Sequence, residues 1–140
     1  MTEAQAIAAI IAAWRTGWEA RQPGVYWTTE NEVGASEATW ARVSVRPSSS
    51  VQASMGAPGA RRFHRFGTIA VQLFAPINAG DAAIAGMVDD VRAVLEGASF
   101  TTSGVAEPVK TFAASSDGRQ TDGAWHMVMV SVPFRYQQTR

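Results

Sequence analysis

Cysteine is missing from the 140-residue chain, and its absence excludes disulfide frameworks, thiol catalysis and thiolate metal sites together. A chain of this length buries enough apolar surface to fold without disulfides or a metal, and it matches one domain of ordinary size. The lack of cysteine also fits a protein that is made and used in a reducing cytoplasm. We therefore predict a single domain over residues 1–140 that is stabilised by its own core.

A surplus of charge is also missing, because twelve Lys and Arg residues balance twelve Asp and Glu residues. Proteins that bind nucleic acid usually carry a basic excess, so the composition disfavours that class. Low net charge instead favours association between copies of the same chain. Lys110 is the only lysine. The dominance of arginine is typical of protein interfaces, although a GC-rich genome would produce the same bias.

No apolar run approaches the roughly eighteen residues that a membrane-spanning helix requires, so we expect no contact with a membrane. The N-terminal stretch also differs from a secretory signal, because Glu3 stands where a positively charged segment belongs. Phosphate-binding loops, dinucleotide-binding fingerprints and the serine-nucleophile motifs of hydrolases are likewise missing from the sequence. We therefore expect no cofactor and no enzymatic activity.

Two segments have the three- and four-residue apolar spacing of an amphipathic helix. Thr2 with Gln5 forms a capping-box pattern that predicts the start of the first helix, and residues 22–24 end it. Asn78 predicts the start of the second helix, and Gly97 predicts its end. The apolar positions are Ile7, Ile10, Ile11, Trp14 and Trp18 in the first helix and Ile84, Met87, Val88, Val91 and Leu95 in the second.

Alternating apolar and polar residues predict the strands of a sheet. The predicted strands cover residues 25–27, 39–46, 61–76, 107–115 and 124–136. Pro47 is expected to end the second strand, and residues 48–60 then predict a long Ser/Gly-rich loop. The predicted fold class is α+β, with a mostly antiparallel β-sheet of four to five strands and two helices packed on one face.

Histidine is rare, and neither His64 nor His126 has a second histidine at metal-ligand spacing. His126 alternates with valines along a predicted strand, which favours a partly buried structural side chain. His64 lies among Arg61, Arg62 and Arg65, where a surface role is favoured over catalysis. The sequence therefore predicts no metal site and no catalytic residue.

One local concentration of charge is present, where Arg61, Arg62 and Arg65 alternate with aromatic residues. Basic residues interleaved with aromatics can bind single-stranded nucleic acid or phosphate, but a solvated strand edge or a subunit contact explains the same pattern. Trp40 is predicted to lie on the polar face of its strand, and tryptophan is enriched where subunits meet. If the helices covered that face, it would be a second core surface, which would explain Trp40 as well. These four residues are the predicted interface residues.

The order of these elements resembles that of the tail-terminator (tail-completion) proteins of long-tailed bacteriophages and related phage-derived particles. The resemblance covers nearly the whole chain. It includes the amphipathic N-terminal helix, the strand that begins at Trp40 and the serine- and glycine-rich loop. It continues with the strand over residues 66–76, which leads into the second helix, and with the closing strand over 130–136. The resemblance rests on pattern, and the family offers no catalytic motif to carry over.

This resemblance implies a homo-hexameric ring that caps the finished tail tube, stops its polymerisation and faces the head connector. The implied partners are further copies of the chain, the tail tube protein and the head–tail connector protein, with DNA only passing through the lumen. Such a protein would be located in the virion tail after assembly in the cytoplasm of the bacterial host. Residues 48–60, with Arg61, Arg62 and Arg65, are predicted to supply one of the two complementary surfaces that a ring requires.

Two further interpretations stay open from the sequence. A neighbouring head–tail connector protein of the same particle would have much the same layout. A small hydrolase or ligand-binding domain would instead assemble its site from scattered residues. A deep polar pocket that contains His64 or His126 beside a carboxylate would identify such a domain.

Overall fold

The computed structural model of the protein describes residues 1–29, 39–76, 81–102, 104–105, 107–117, 120–122 and 125–140. In chain order its elements are α1 (Glu3–Arg21), β1 (Tyr26–Thr28), β2 (Trp40–Gln52), β3 (Arg62–Pro76), α2 (Asp81–Leu95), β4 (Ser99–Phe100), β5 (Val109–Thr111), β6 (Ser115–Ser116), β7 (Gln120–Asp122) and β8 (Trp125–Thr139). The strands form one sheet in the order β1-β2-β3-β8-β5-β4, and β6 and β7 also pair with β8.

The sheet confirms the predicted α+β class. Only β1 and β2 run parallel, and every other pairing among the described strands is antiparallel. The structure contains more strands than the four to five predicted. The reason lies at the outer edge of β8, where three short strands (β5, β6 and β7) pair with successive parts of one long strand.

The predicted capping box starts α1. Thr2 Oγ1 accepts a hydrogen bond from Gln5 N at 3.2 Å, and Gln5 Oε1 accepts one from Thr2 N at 2.8 Å. These two bonds satisfy N–H groups that a helix start leaves without partners. At the other end Gln22 N donates to Trp18 O at 2.7 Å, and Gly24 turns the chain away with a φ of 81°. Both predicted ends of this helix are confirmed.

The second helix ends as predicted, because Gly97 follows it with a φ of 60°, a conformation that favours glycine. Asn78, the predicted cap at its start, lies outside the described residues. Among the residues that the structure describes, no helix is both long and apolar enough to cross a membrane.

The core lies between the two helices and one face of the sheet. Val43, Val71 and Val130 stand side by side in the registers of β2, β3 and β8, and all three are fully buried. From α1, Trp14 and Trp18 stack on one another with ring centroids 4.7 Å apart, and both are fully buried in the same cluster. Alternation places every second residue of the long strands on this face, so the helices and the strands share one core.

A close approach across the β3–β8 pair requires glycine at position 67. Gly67 pairs with Phe134, and a Cβ atom at this position would lie 2.4 Å from Phe134 Cζ and 2.7 Å from the carbonyl oxygen of Arg46. The buried Phe134 ring therefore lies over bare backbone, and it also stacks on Tyr136 at a centroid distance of 6.3 Å. The glycine thus makes room for one of the largest side chains of the core.

The predicted loop over residues 48–60 is shorter in the structure, because β2 continues past Pro47 to Gln52. The register shifts between Pro47 and Ser50, and pairing with β3 then resumes from Ser50 opposite Arg65 to Gln52 opposite Phe63. Such an irregularity lets a strand pass a proline that has no N–H to donate. Ser48 Oγ also donates to the carbonyl oxygen of Phe66 at 3.2 Å. The loop itself spans residues 53–61.

Candidate interaction surfaces

The three predicted arginines lie together at one end of the sheet. Arg65 projects on the same side as Phe63, and its guanidinium carbon lies 4.9 Å from the centroid of that ring. Its Nε donates to Gln138 Oε1 at 3.2 Å and its Nη1 donates to Ser50 Oγ at 3.0 Å. These contacts come from β2, β3 and β8, so they hold Arg65 flat on the sheet.

Arg61 and Arg62 are held differently. The backbones of Arg61 and Arg140 exchange two hydrogen bonds, of 3.0 and 2.8 Å, which extend the β3–β8 ladder by one pair. The side chain of Arg62 is exposed, and its backbone N donates to Ser54 Oγ at 3.0 Å. Arg62 is therefore the most accessible of the three predicted arginines for a partner.

Trp40 is buried, with only 1% of its surface exposed, so the prediction that it is exposed is wrong. Its ring stacks on that of Phe74, its partner in the register, at a centroid distance of 4.2 Å and an interplanar angle of 7°. The guanidinium carbon of Arg42 lies 5.3 Å from the Trp40 ring and 5.4 Å from the Phe74 ring. The second face of the sheet is therefore apolar at this end. The alternative interpretation, a second core surface covered by the helices, holds only in part, because the core cluster that contains the helices does not include Trp40. In this conformation Trp40 offers almost no surface to a partner.

The two histidines lie far apart. In the β3–β8 ladder His64 pairs with Gln137, whereas His126 pairs with Ala75. Residues 126 and 137 are eleven positions apart on one strand, or about 36 Å. The two imidazoles therefore cannot contribute to one site. Among the residues that the structure describes, no three His, Asp or Glu side chains converge as a metal site would require.

A small cavity lies beside His64, and it bears on the hydrolase interpretation. Its lining includes His64, Glu107, Lys110 and Tyr136, so a histidine does lie near a carboxylate. The cavity holds only about 40 Å³, however, which is room for no more than a few water molecules. Pockets for small-molecule ligands usually hold about 300–1,000 Å³. The predicted mark of an enzyme, a deep polar pocket, is therefore not met by this cavity.

Tyr136 forms one wall of that cavity, and the pKa of its hydroxyl is raised. Burial raises the pKa of Tyr136 above 10.0, and the negative charge of Glu3 raises it further, while Arg65 partly opposes both effects. A phenol with a raised pKa stays neutral at physiological pH and is a poor general base there. Tyr136 is 4% exposed and belongs to the core cluster.

A larger groove lies between α2 and the outer edge of β8, and the sequence did not reveal it. It has a volume of about 350 Å³. Ile84, Val88 and Val128 form its apolar floor, and Asp89 and Asp117 are exposed on its rim. The sequence shows the separate residues but not that β6 and α2 lie side by side, which alone brings Asp117 near Asp89.

The hydrogen bonds formed by residues around the groove leave the carboxylates of Asp89 and Asp117 accessible. Arg92 also lines the groove, but its Nη2 is directed to Ser116 Oγ at 3.5 Å. Asp90, next to Asp89, points away from the groove and towards the end of α1. Its Oδ2 accepts a hydrogen bond from Gln22 Nε2 at 2.5 Å, and its Oδ1 lies 3.7 Å from Arg21 Nη1. Asp89 and Asp117 form no ion pair with any other residue that the structure describes.

The twelve basic and twelve acidic residues are unevenly distributed along the sequence. The segment from β2 through β3, together with β8 and the last residue, holds seven basic residues and no Asp or Glu. The seven are Arg42, Arg46, Arg61, Arg62, Arg65, Arg135 and Arg140. The rest of the chain contains all twelve acidic residues and the other five basic ones. The long strands are therefore basic, whereas the remainder of the sequence carries a net negative charge.

Solved structures share this fold from end to end. One protein, whose name describes no function, is 20% identical with a TM-score of 0.76, and the alignment covers 100% of this chain and 99% of that one. A chain of a structure described as the virion of a native gene transfer agent particle is 17% identical with a TM-score of 0.64, and the alignment covers 98% of this chain and 100% of that one. At such identities the likeness shows a common fold. No family model matches the chain, and no curated protein matches it in sequence.

Proposed function

We propose that this chain is a structural protein of a phage-like virion, and that it forms a ring that caps the tail tube. One observation carries the proposal: the fold matches a chain of a gene transfer agent virion over the full length of both. In this role the ring terminates polymerisation of the tail and joins it to the head connector.

The uneven distribution of charge supports a ring. Neighbours in a cyclic ring meet through two different surfaces, one on each side of every copy. The basic long strands and the acidic α2 groove are two such surfaces, and both are exposed at Arg62 and Asp89.

The remaining parts of the proposal concern stoichiometry and partners. Six copies form the ring, the tail tube protein binds one side of it and the head–tail connector protein binds the other. DNA passes through the lumen without a specific site, and no membrane takes part. Assembly occurs in the cytoplasm of the bacterial host, and the finished ring stays in the virion tail. The loop over residues 53–61, with Arg61, Arg62 and Arg65, belongs to the contact between neighbouring copies.

Electron microscopy tests this proposal directly. Purified protein is mixed with tubes of the tail tube protein of the same particle. The mixture is imaged by negative stain, and its molar mass is measured by light scattering. We expect six-fold rings at one end of each tube. We also expect the tubes to stop elongating once the protein is added. Bovine serum albumin at the same concentration serves as the control.

Two other results would point elsewhere. Binding to the connector protein with no effect on tube length would favour the neighbouring head–tail connector role. If the protein binds neither the tail tube protein nor the connector protein, its structural role in the virion is refuted. In that case the cavity beside His64 would become the first place to search for another activity.

A further inference from the structure

We propose that the loop end of the β2–β3 hairpin of one copy inserts into the α2 groove of the next copy. This inference rests on the proposed ring, and it names the two surfaces that meet in it. The basic tip is defined as residues 51–62, and the acidic groove as the cleft lined by Ile84, Ala85, Val88, Asp89, Arg92, Ser116, Asp117 and Val128.

The basic tip exposes apolar surface beside positive charge. Met55 is 94% exposed and Val51 is 54% exposed, which makes them the two most exposed large apolar side chains in the described part of the chain. Arg62 is exposed as well, and the tip contains no acidic residue. Methionine is flexible and enriched at binding surfaces, because it adapts its shape to a pocket.

Hydrogen bonds shape the tip before any partner binds. Ala53 N donates to the carbonyl oxygen of Arg62 at 2.8 Å, Ala60 N donates to that of Ala57 at 3.0 Å, and Arg62 N donates to Ser54 Oγ at 3.0 Å. A turn with internal hydrogen bonds loses less conformational entropy on docking than a disordered one. The tip is therefore suited to insertion into a pocket.

The acidic groove has the complementary properties. Its volume of about 350 Å³ lies in the range of pockets that bind a ligand, and its apolar floor can cover a methionine side chain. Asp89 and Asp117 on the rim face a positive partner, while Arg92 is directed towards Ser116. Arg62, Asp89 and Asp117 have no ion-pair partner in the part of the chain that the structure describes, so docking would supply one.

The tip cannot reach the groove of its own molecule. Arg62 pairs with Thr139 at one end of β8, whereas Ser116, which lines the groove, pairs with Val130. Residues 130 and 139 are nine positions apart, or about 30 Å along the strand. The occupant is therefore a second copy of this chain. Every copy carries one tip and one groove, so the contact is head-to-tail and can close into a ring.

The lack of native cysteine allows a clean cross-linking test. A Met55→Cys variant is mixed with an isotope-labelled Ala85→Cys variant, since Ala85 is exposed in the groove. The mixture is oxidised mildly at about 1 mM protein, and mass spectrometry counts the mixed disulfide dimers. Ala12→Cys replaces Ala85→Cys in the control, because Ala12 is also an exposed alanine and lies on α1, outside the lining of the acidic groove.

We expect at least ten times more mixed dimer with Ala85→Cys than with Ala12→Cys. Equal yields for the two partners would overturn the proposal. A yield dominated by symmetric Met55→Cys dimers would overturn it too, because it would show tip-to-tip contact.

Exchange of charges provides a second, independent test. Arg62→Glu and Asp89→Arg, each added to both cysteine variants, should lower the mixed-dimer yield about tenfold because each places like charges together. The two changes combined should restore at least half of the yield. Failure of the combination to recover, with circular dichroism showing all variants folded, would refute pairing between the tip and the groove.

The result of the cross-linking test can be distinguished from the result of the tail-tube test of the proposed function. A specific cross-link in a protein that binds no tail tube would uphold the contact and refute the tail role. Rings on tail tubes without the specific cross-link would uphold the tail role and refute this contact.

Discussion

Replacement of Trp40 by alanine tests whether the second face of the sheet is a core surface. Trp40 is 1% exposed and stacks on Phe74 at 4.2 Å, so truncation removes a buried ring and leaves a cavity. Substitutions of this kind cost about 3–5 kcal/mol of the free energy of unfolding. Part of that cost, roughly 0.5–1.5 kcal/mol, reflects the lost aromatic pair. A chain of this length has a total stability of about 7–20 kcal/mol, so the variant should still fold.

Urea denaturation followed by circular dichroism measures this loss. With a slope of about 2 kcal/mol per M, the unfolding midpoint of Trp40→Ala should fall by about 2 M. Trp40→Phe should lose less, because it keeps the stacking on Phe74. Met55→Ala is the control, since Met55 is 94% exposed and its truncation should change the stability by less than about 0.5 kcal/mol. A loss below about 1 kcal/mol for Trp40→Ala would show that the ring is exposed, as the sequence suggested, and would refute the burial argument.

Three further perturbations have expected outcomes. Gly67→Ala should lower the free energy of unfolding by about 1–3 kcal/mol because its Cβ would lie 2.4 Å from the Phe134 ring, whereas Gly86→Ala, with no atom within 4 Å, should raise it by about 0.5–1 kcal/mol. Thermal melts of the two variants compare their stabilities directly. Changes in stability of the same sign in both variants would contradict the packing around Gly67 and Gly86. The pKa of Tyr136 is raised in the folded state. The stabilising effect of its neutral hydroxyl is therefore complete below about pH 10 and is lost as the pH rises through the folded pKa. In alkaline titrations the free energy of unfolding of Tyr136→Phe should consequently fall less than that of the unaltered protein. Replacing residues 54–59 by Asn-Gly should leave the monomer folded but abolish ring formation in negative stain, and normal rings would contradict the role of the loop.

Helix ends could be predicted from the sequence because local residues determine them. The contacts of Thr2 with Gln5 and the turn at Gly24 depend on neighbours within a few positions. Strand faces were equally accessible, since alternation alone places Val43 and Val71 on the buried side. The α+β class followed from the order of these local patterns.

Features that depend on distant contacts were predicted less well. Strand β2 continues past Pro47 because the backbone of β3 lies beside it, and no local signal encodes that pairing. Trp40 alternates with Arg42 and so was placed on a polar face, yet Phe74 from β3 turns that part of the face apolar. The acidic groove likewise needs Asp117 and Asp89, which are far apart in the sequence, to meet across α2 and β6.

The irregular outer edge of β2 limits how copies of this protein can meet. Among the described strands, only β1 pairs with that edge, from Trp40 to Arg42. Farther along, the edge carries Arg46, then Pro47, and then the shift in register. A charge, a proline and a bulge each obstruct the addition of another strand, so backbone pairing between copies is disfavoured. Contacts between copies at this edge must then rely on side chains, which fix a number and an orientation, whereas open sheet edges can add strands without limit.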